Sequence, residues 1–213
     1  MGSLVRVEVR VDGVVQGVGF RPFVYALAAR YGIAGHVGND TTGVFADAEG
    51  TPDAVTAFLK ALETDAPALA EVERVTVVQR QPRGVRGFRI AASASDGPRR
   101  TLVTADSATC PACLAELFDP ADRRYRYPFL NCTDCGPRYT LVRDVPYDRP
   151  NTTMADFALC ADCAREYHDP GDRRFHAQPV CCPACGPRAR LLDASGRVRD
   201  GDDPVADTAE LLR

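Results

Sequence analysis

"VVQGVGFRPFVYALAARYG", residues 14–32, places Gly17, Gly19 and Arg21 between a run of alternating valines and a helical pattern. Upstream, Val5, Val7, Val9 and Val11 alternate with Arg6, Glu8 and Arg10, the period of two that marks a strand with one buried face. Downstream, Pro22 suits a first helical turn, and Phe23, Leu27 and Tyr31 recur at helical spacing up to a stop at Gly32. The rest of the N-terminal part follows from this strand-turn-helix start. Residues 34–39 and 44–49 flank "DTTG", a hairpin signal, and residues 52–63 form a helix carrying Val55, Phe58, Leu59 and Leu62 on one side. Val72, Val75, Val77 and Val78 mark another strand, and residues 88–91 a last short one. The order βαββαβ predicts an α+β fold, a ferredoxin-like split-βαβ sandwich of about 90 residues.

The opening loop has the makings of an anion cradle. Gly13, Gly17 and Gly19 allow backbone angles that turn several N–H groups inward, and the following helix start adds unpaired donors and the positive end of its dipole. Arg21 adds a planar fork that matches two phosphate oxygens. The spacing alone equally suits a tight turn with a solvated arginine. Asn39 is likewise open to two readings, a functional side chain or a turn residue capping the "NDTTG" hairpin.

Composition narrows the field. With 213 residues, 45% of them hydrophobic, the chain can fill a core, and a formal charge of −3 gives no reason to expect a nucleic-acid partner. No run approaches the roughly 18 apolar residues of a membrane helix, and the N-terminus lacks a secretion pattern, so no membrane is expected and a cytoplasmic protein is. Nine cysteines, none before Cys110, then point to metal rather than disulfides and mark a boundary.

Residues 110–138, "CPACLAELFDPADRRYRYPFLNCTDCGPR", align without gaps on residues 160–188, "CADCAREYHDPGDRRFHAQPVCCPACGPR". Each copy of this internal repeat carries C-x2-C, eighteen intervening residues, C-x2-C and Gly-Pro-Arg. Each thus offers four thiolates to one tetrahedral ion: Cys110, Cys113, Cys132 and Cys135 in the first, Cys160, Cys163, Cys182 and Cys185 in the second. Two structural Zn2+ ions are expected, with no organic cofactor. Closed four-thiolate sites leave no position for catalysis and supply folding energy to a segment poor in apolar residues. Cys181 aligns with Asn131 and reads as a free thiol beside the site. His168 and His176, opposite Phe118 and Arg126, read as packing residues, and the shared D-P-x-D-R-R run as a loop tied by Asp–Arg contacts.

"VVQGVGFRPF" followed by "GHVGNDTTGV" resembles the acylphosphatase family, whose pattern is G-x-V-Q-G-V-x-F-R and then G-x-V-x-N. The departures are the extra Val14 before Val15 and His36 where an aromatic residue often stands. The resemblance implies that Arg21 binds phosphate and Asn39 orients the attacking water. The backbone amides of Gln16, Gly17, Val18, Gly19 and Phe20 complete the phosphate-binding set. Such chemistry needs no metal, because an acyl phosphate is already activated.

The ordered combination of that domain with the two cysteine repeats is similar to the N-terminal part of the HypF family, carbamoyltransferases of nickel–iron hydrogenase maturation. That resemblance implies hydrolysis of carbamoyl phosphate to carbamate and phosphate as a first step. Later ATP-dependent steps and a HypE-type partner belong to domains not represented here. The expected division is 1–92 acylphosphatase-like domain, 93–108 linker, 109–188 tandem zinc-finger region, and 189–213 the start of a truncated YrdC-like domain. The competing expectation is a noncatalytic zinc scaffold that docks partners.

Overall fold

Val7, Val9 and Val11 are buried, and Glu8 and Arg10 sit on the opposite side of the same strand. In the computed structural model, which describes residues 3–199, 201 and 203–213, this strand is β1 (Val5–Val14). It pairs antiparallel with β3 (Val44–Gly50) on one side and β4 (Glu71–Arg80) on the other. β2 (Ala34–Asn39) pairs antiparallel with β3 and parallel with the short β5 (Phe88–Ile90), giving the order β4-β1-β3-β2-β5. The expected βαββαβ unit is present, with β5 added at the β2 edge.

Two helices supply the other half of the core. α1 (Phe20–Tyr31) buries Phe20, Val24, Leu27 and Ala28, so its inward stripe lies one step from the expected Phe23–Leu27–Tyr31 line; Phe23 and Tyr31 flank it. α2 (Pro52–Thr64) starts at Thr51, whose side chain accepts from the Ala54 N–H at 3.3 Å, with Pro52 in the first turn where a missing donor costs nothing. Its Val55, Phe58, Ala61 and Leu62 are buried. Burial of Phe58 or Leu62, both wholly enclosed, stabilises by about 1.5–3 kcal/mol each. Gly13 lies outside the anion cradle: the register of β1 against β4 shifts there, and a Cβ would sit 2.1 Å from the Glu71 carbonyl oxygen.

The cysteine repeats are built alike. α3 (Pro111–Phe118) and α4 (Ala161–His168) begin directly after Cys110 and Cys160, so the first knuckle of each repeat is a helix start. Arg126 and His176, at equivalent positions, both take positive φ, 57° and 56°. The D-P-x-D-R-R arginines do not tie their own loops. Asp122 and Asp172 accept instead from the backbone N–H of Arg124 and Arg174, each at 2.7 Å, and the guanidinium groups cross to the other repeat. Arg124 meets Glu166, and its Nε donates to the Cys181 carbonyl at 2.9 Å; Arg174 meets Glu116, and its Nε donates to the Asn131 carbonyl at 3.1 Å. Arg124 and Arg174 are almost fully buried, so the repeats form one reciprocally locked body. That lock holds Glu166 in its charged form: burial would raise its pKa, but the hydrogen bonds from Arg124 and Arg123 outweigh it and leave it at about 2.

The connecting segment is ordered against the first domain. Ala94 N–H donates to the Asn39 carbonyl at 2.9 Å, and Arg100 and Thr101 N–H to that of Thr41 at 2.7 and 3.0 Å. Beyond the repeats, Leu192 and Val198 pair across a turn, and α5 (Pro204–Leu211) follows. Among the described residues no helix is long and apolar enough to cross a membrane.

Candidate active site and zinc centres

Val15 and Val18 are buried in the core and anchor the turn between β1 and α1, leaving its backbone at the surface of the sandwich. Among the described residues no backbone N–H from Gln16 to Arg21 donates to a protein acceptor. Gly17 and Gly19 both stand at φ 75°, a conformation that favours glycine. They are also approached closely: a Cβ at Gly17 would lie 2.8 Å from Pro137 Cβ, and one at Gly19 3.2 Å from Thr133 Cβ. The loop is therefore roofed by the first zinc repeat.

Arg21 is 8% exposed at the start of α1. Its Nη1 donates to Asp148 Oδ1 at 2.6 Å and to Ser93 Oγ at 3.3 Å, and its Nη2 to the Tyr147 carbonyl at 3.2 Å. Asn39, at the end of β2, is 1% exposed, and neither atom of its amide has a hydrogen-bond partner. The hairpin-capping role goes to its neighbour. Asp40 Oδ1 accepts from Thr42 and Gly43 N–H at 2.7 and 3.1 Å, and Arg10 pairs with the same carboxylate. The Asn39 side chain is left free to face the loop.

Gln16 ties three parts together. Its Nε2 donates to the Asp40 and Gly43 carbonyls at 2.7 and 2.8 Å, and its Oε1 accepts from Tyr147 N–H at 2.9 Å. The loop, Arg21 and Asn39 line one cavity of about 20 Å3, together with Asn131, Thr133, Tyr147 and Gln178. His176 also lines it. Burial, reinforced by the Arg21 charge, lowers the pKa of His176 to about 4, so it is neutral at pH 7 and the positive charge beside the loop belongs to Arg21. The sequence alone treats His176 as a packing residue. It does pack, its ring 5.0 Å from that of Tyr167, but it also closes the cavity.

Asp148, Tyr147 and Asn131 escape sequence reasoning. "PYDRP" has no metal or catalytic spacing, and Asn131 is visible only as the residue opposite Cys181 in the repeat alignment.

The eight knuckle cysteines gather as expected, in two sets whose sulfurs all lie within 4.8 Å of one another. Cys110–Cys132 and Cys132–Cys135 Sγ separations are 3.5 and 3.8 Å; Cys160–Cys182 and Cys163–Cys185 are 3.7 and 3.6 Å. A tetrahedron with Zn–S of about 2.3 Å has edges of about 3.8 Å, so both sets fit zinc. Each is hydrogen-bonded from the opposite repeat: Arg173 Nη1 lies 3.1 Å from Cys113 Sγ, and Arg123 Nη2 lies 3.3 Å from Cys163 Sγ. Such donors offset the excess negative charge of four thiolates. Cys181 stays outside both sets, buried, its Sγ 3.5 Å from the Tyr127 hydroxyl.

The acylphosphatase family pattern matches residues 7–90, and the HypF finger pattern matches residues 109–142 and 159–192. Carbamoyltransferase HypF2 of Cupriavidus necator is 54% identical over 211 residues, 98% of this chain and 26% of that protein. An acylphosphatase of Thermotoga maritima is 42% identical over 84 residues, 39% of this chain and 92% of that protein. A crystal structure of full-length HypF in a phosphate- and nucleotide-bound form is 40% identical with a TM-score of 0.92, covering 100% of this chain and 28% of that one. The chain spans about a quarter of the length of its long HypF relatives. An acylphosphatase domain followed by two HypF fingers, superposing along the whole chain on a solved HypF, places this protein in the HypF family.

Proposed function

We propose that this chain hydrolyses carbamoyl phosphate to carbamate and inorganic phosphate, as the first step of carbamoyl transfer in nickel–iron hydrogenase maturation. The observation that carries this reading is the convergence of Gly17, Gly19 and Phe20, from a loop whose amides have no protein acceptor, with buried Arg21 and unpartnered Asn39 on one cavity. The amides and Arg21 grip the phosphoryl oxygens, and Asn39 holds a water in line with the acyl oxygen. Water attacks phosphorus, the bond from phosphorus to the acyl oxygen breaks, and its electron pair leaves on carbamate. Charge grows on the equatorial oxygens in the transition state, where fixed donors stabilise it more than in the ground state.

Residues 1–92 carry this step. Two Zn2+ ions, one per four-cysteine set, hold residues 109–188 in shape; each contributes folding free energy, roughly 10–16 kcal/mol apparent in small peptides. We read residues 189–213 as the start of a YrdC-like domain. The ATP-dependent steps and the docking of a HypE-type partner are not assigned to these 213 residues. The cytoplasm is the proposed compartment.

Two observations favour the competing scaffold reading: Arg21 is already paired with Asp148, and a cavity of about 20 Å3 has room for little more than a water molecule. Release of inorganic phosphate from carbamoyl phosphate by the purified chain separates the two. Turnover that Asn39→Ala depresses, with phosphate affinity kept, supports hydrolysis. No turnover above the uncatalysed rate favours the scaffold.

A further inference from the structure

Among the described residues, the buried side-chain polar atoms without a hydrogen-bond partner belong to Asn39, Asn131, Tyr147 and Arg173. Arg173 Nη2 faces Glu116 at 2.5 Å, so its charge is met. The other three line the same cavity. A buried amide with neither donor nor acceptor satisfied costs free energy, and native proteins keep such groups where a ligand completes them.

Asn131 belongs to the first zinc repeat, not to the sandwich. The duplication shows what is particular about it. Cys181, at the equivalent position, contacts the Tyr127 hydroxyl and the Phe129 carbonyl, both within 3.5 Å and both inside the finger region. Asn131 is 2% exposed and has no such partner for its amide. Its backbone is nevertheless fixed: Arg174 Nε donates to its carbonyl at 3.1 Å, and Cys132 next to it is one of the four clustered thiols. The amide is held in place and left unused, as a preorganised recognition group is.

In an in-line displacement the attacking water and the leaving acyl oxygen lie on opposite sides of phosphorus. A side chain that holds the water therefore cannot also read the acyl end. Asn39, at the end of β2, and Asn131, in the first zinc repeat, reach the same cavity from separate parts of the chain. Resting on the hydrolase reading above, we infer that Asn131 is a specificity residue that pairs with the carbamoyl group. Its Nδ2 donates to the carbamoyl carbonyl, and its Oδ1 accepts from the carbamoyl N–H. An acyl phosphate with a methyl in place of the amino group leaves that acceptor buried and unmet, which a site built for hydrogen bonding penalises strongly. The zinc repeat would thus complete the substrate pocket as well as support it.

The test is the ratio of kcat/KM for carbamoyl phosphate and acetyl phosphate, with zinc content measured alongside. The parent should favour carbamoyl phosphate by at least about tenfold, and Asn131→Ala should bring the two within about threefold, chiefly by losing carbamoyl phosphate turnover. Asn131→Asp, equal in shape, keeps the acceptor for the carbamoyl N–H but loses the donor to the carbonyl that both substrates share and adds a negative charge, so it should slow both substrates and keep the preference for carbamoyl phosphate. A parent without preference, an Asn131→Ala variant that slows both substrates equally, or an Asn131→Asp variant that loses the preference overturns the Asn131 assignment and leaves the hydrolase reading standing. Loss of zinc from both variants would make Asn131 a structural residue and also overturns it. A parent inactive on both substrates removes the hydrolase reading itself.

Discussion

Arg21 Nη1 and Asp148 Oδ1 lie 2.6 Å apart, an ion pair that joins the start of α1 to the segment between the two zinc repeats across 127 residues of chain. The carboxylate takes a donor that the hydrolase reading gives to phosphate. An entering phosphoryl group has to displace it, and Asp148 then competes with substrate for the same guanidinium. Both side chains are mostly buried, so solvent screens the pair little.

Asp148→Asn should therefore tighten binding of inorganic phosphate, by up to about tenfold if roughly 1.4 kcal/mol of competition is removed. Titration calorimetry of parent and variant checks this. Weaker binding in the variant would mean that Asp148 orients Arg21 rather than competing for it.

The contrast between Arg21 and Asp148 shows what a sequence discloses. Arg21 is legible because a strand, glycines and a helix start surround it in one continuous stretch. The eight clustered cysteines are legible because four thiols at fixed spacing serve one ion and the unit occurs twice. Asp148, Tyr147 and Asn131 reach the cavity only through the packing of the finger region on the sandwich, a contact between distant segments that leaves no periodicity. The D-P-x-D-R-R run shows the same limit: its recurrence is plain, but its arginines bind the other copy, and spacing within one copy cannot show that. Asn39 is a middle case, since its two readings separate only once Asp40 is seen to cap the hairpin.

The reciprocal lock predicts coupling between the zinc sites. Cys113→Ser removes a ligand from the first site and the acceptor of Arg173 from the second repeat. The variant should bind fewer than two ions per chain, and its remaining ion should be stripped by chelator faster than either ion of the parent. Metal analysis during a chelator time course reads both quantities. An unchanged stripping rate for the remaining ion would show that the sites are independent.

Stability should fall on acidification before the carboxylates titrate. The pKa of His176, depressed by burial to about 4, stands at 6.5 when free, so the unfolded chain binds its proton first. Its contribution is full above about pH 6.5 and is lost as pH falls from there towards 4. Thermal melts from pH 7.5 to 5 should show this slope, and His176→Asn, which tolerates the positive φ, should flatten it. Parent and variant melting curves that run parallel over that range would remove His176 as the cause. Glu166, held at about 2, adds its own loss only below about pH 4.5.

The most direct test of the central claim is carbamoyl phosphate hydrolysis by Arg21→Ala, compared with the parent at equal zinc content. If Arg21 stabilises charge developing on the phosphoryl oxygens, kcat/KM falls by roughly 10²- to 10³-fold, as on removal of one oxyanion donor, and phosphate affinity falls with it. Near-parental hydrolysis with unchanged phosphate binding would contradict the account and leave the loop as a strand-to-helix turn under a zinc scaffold.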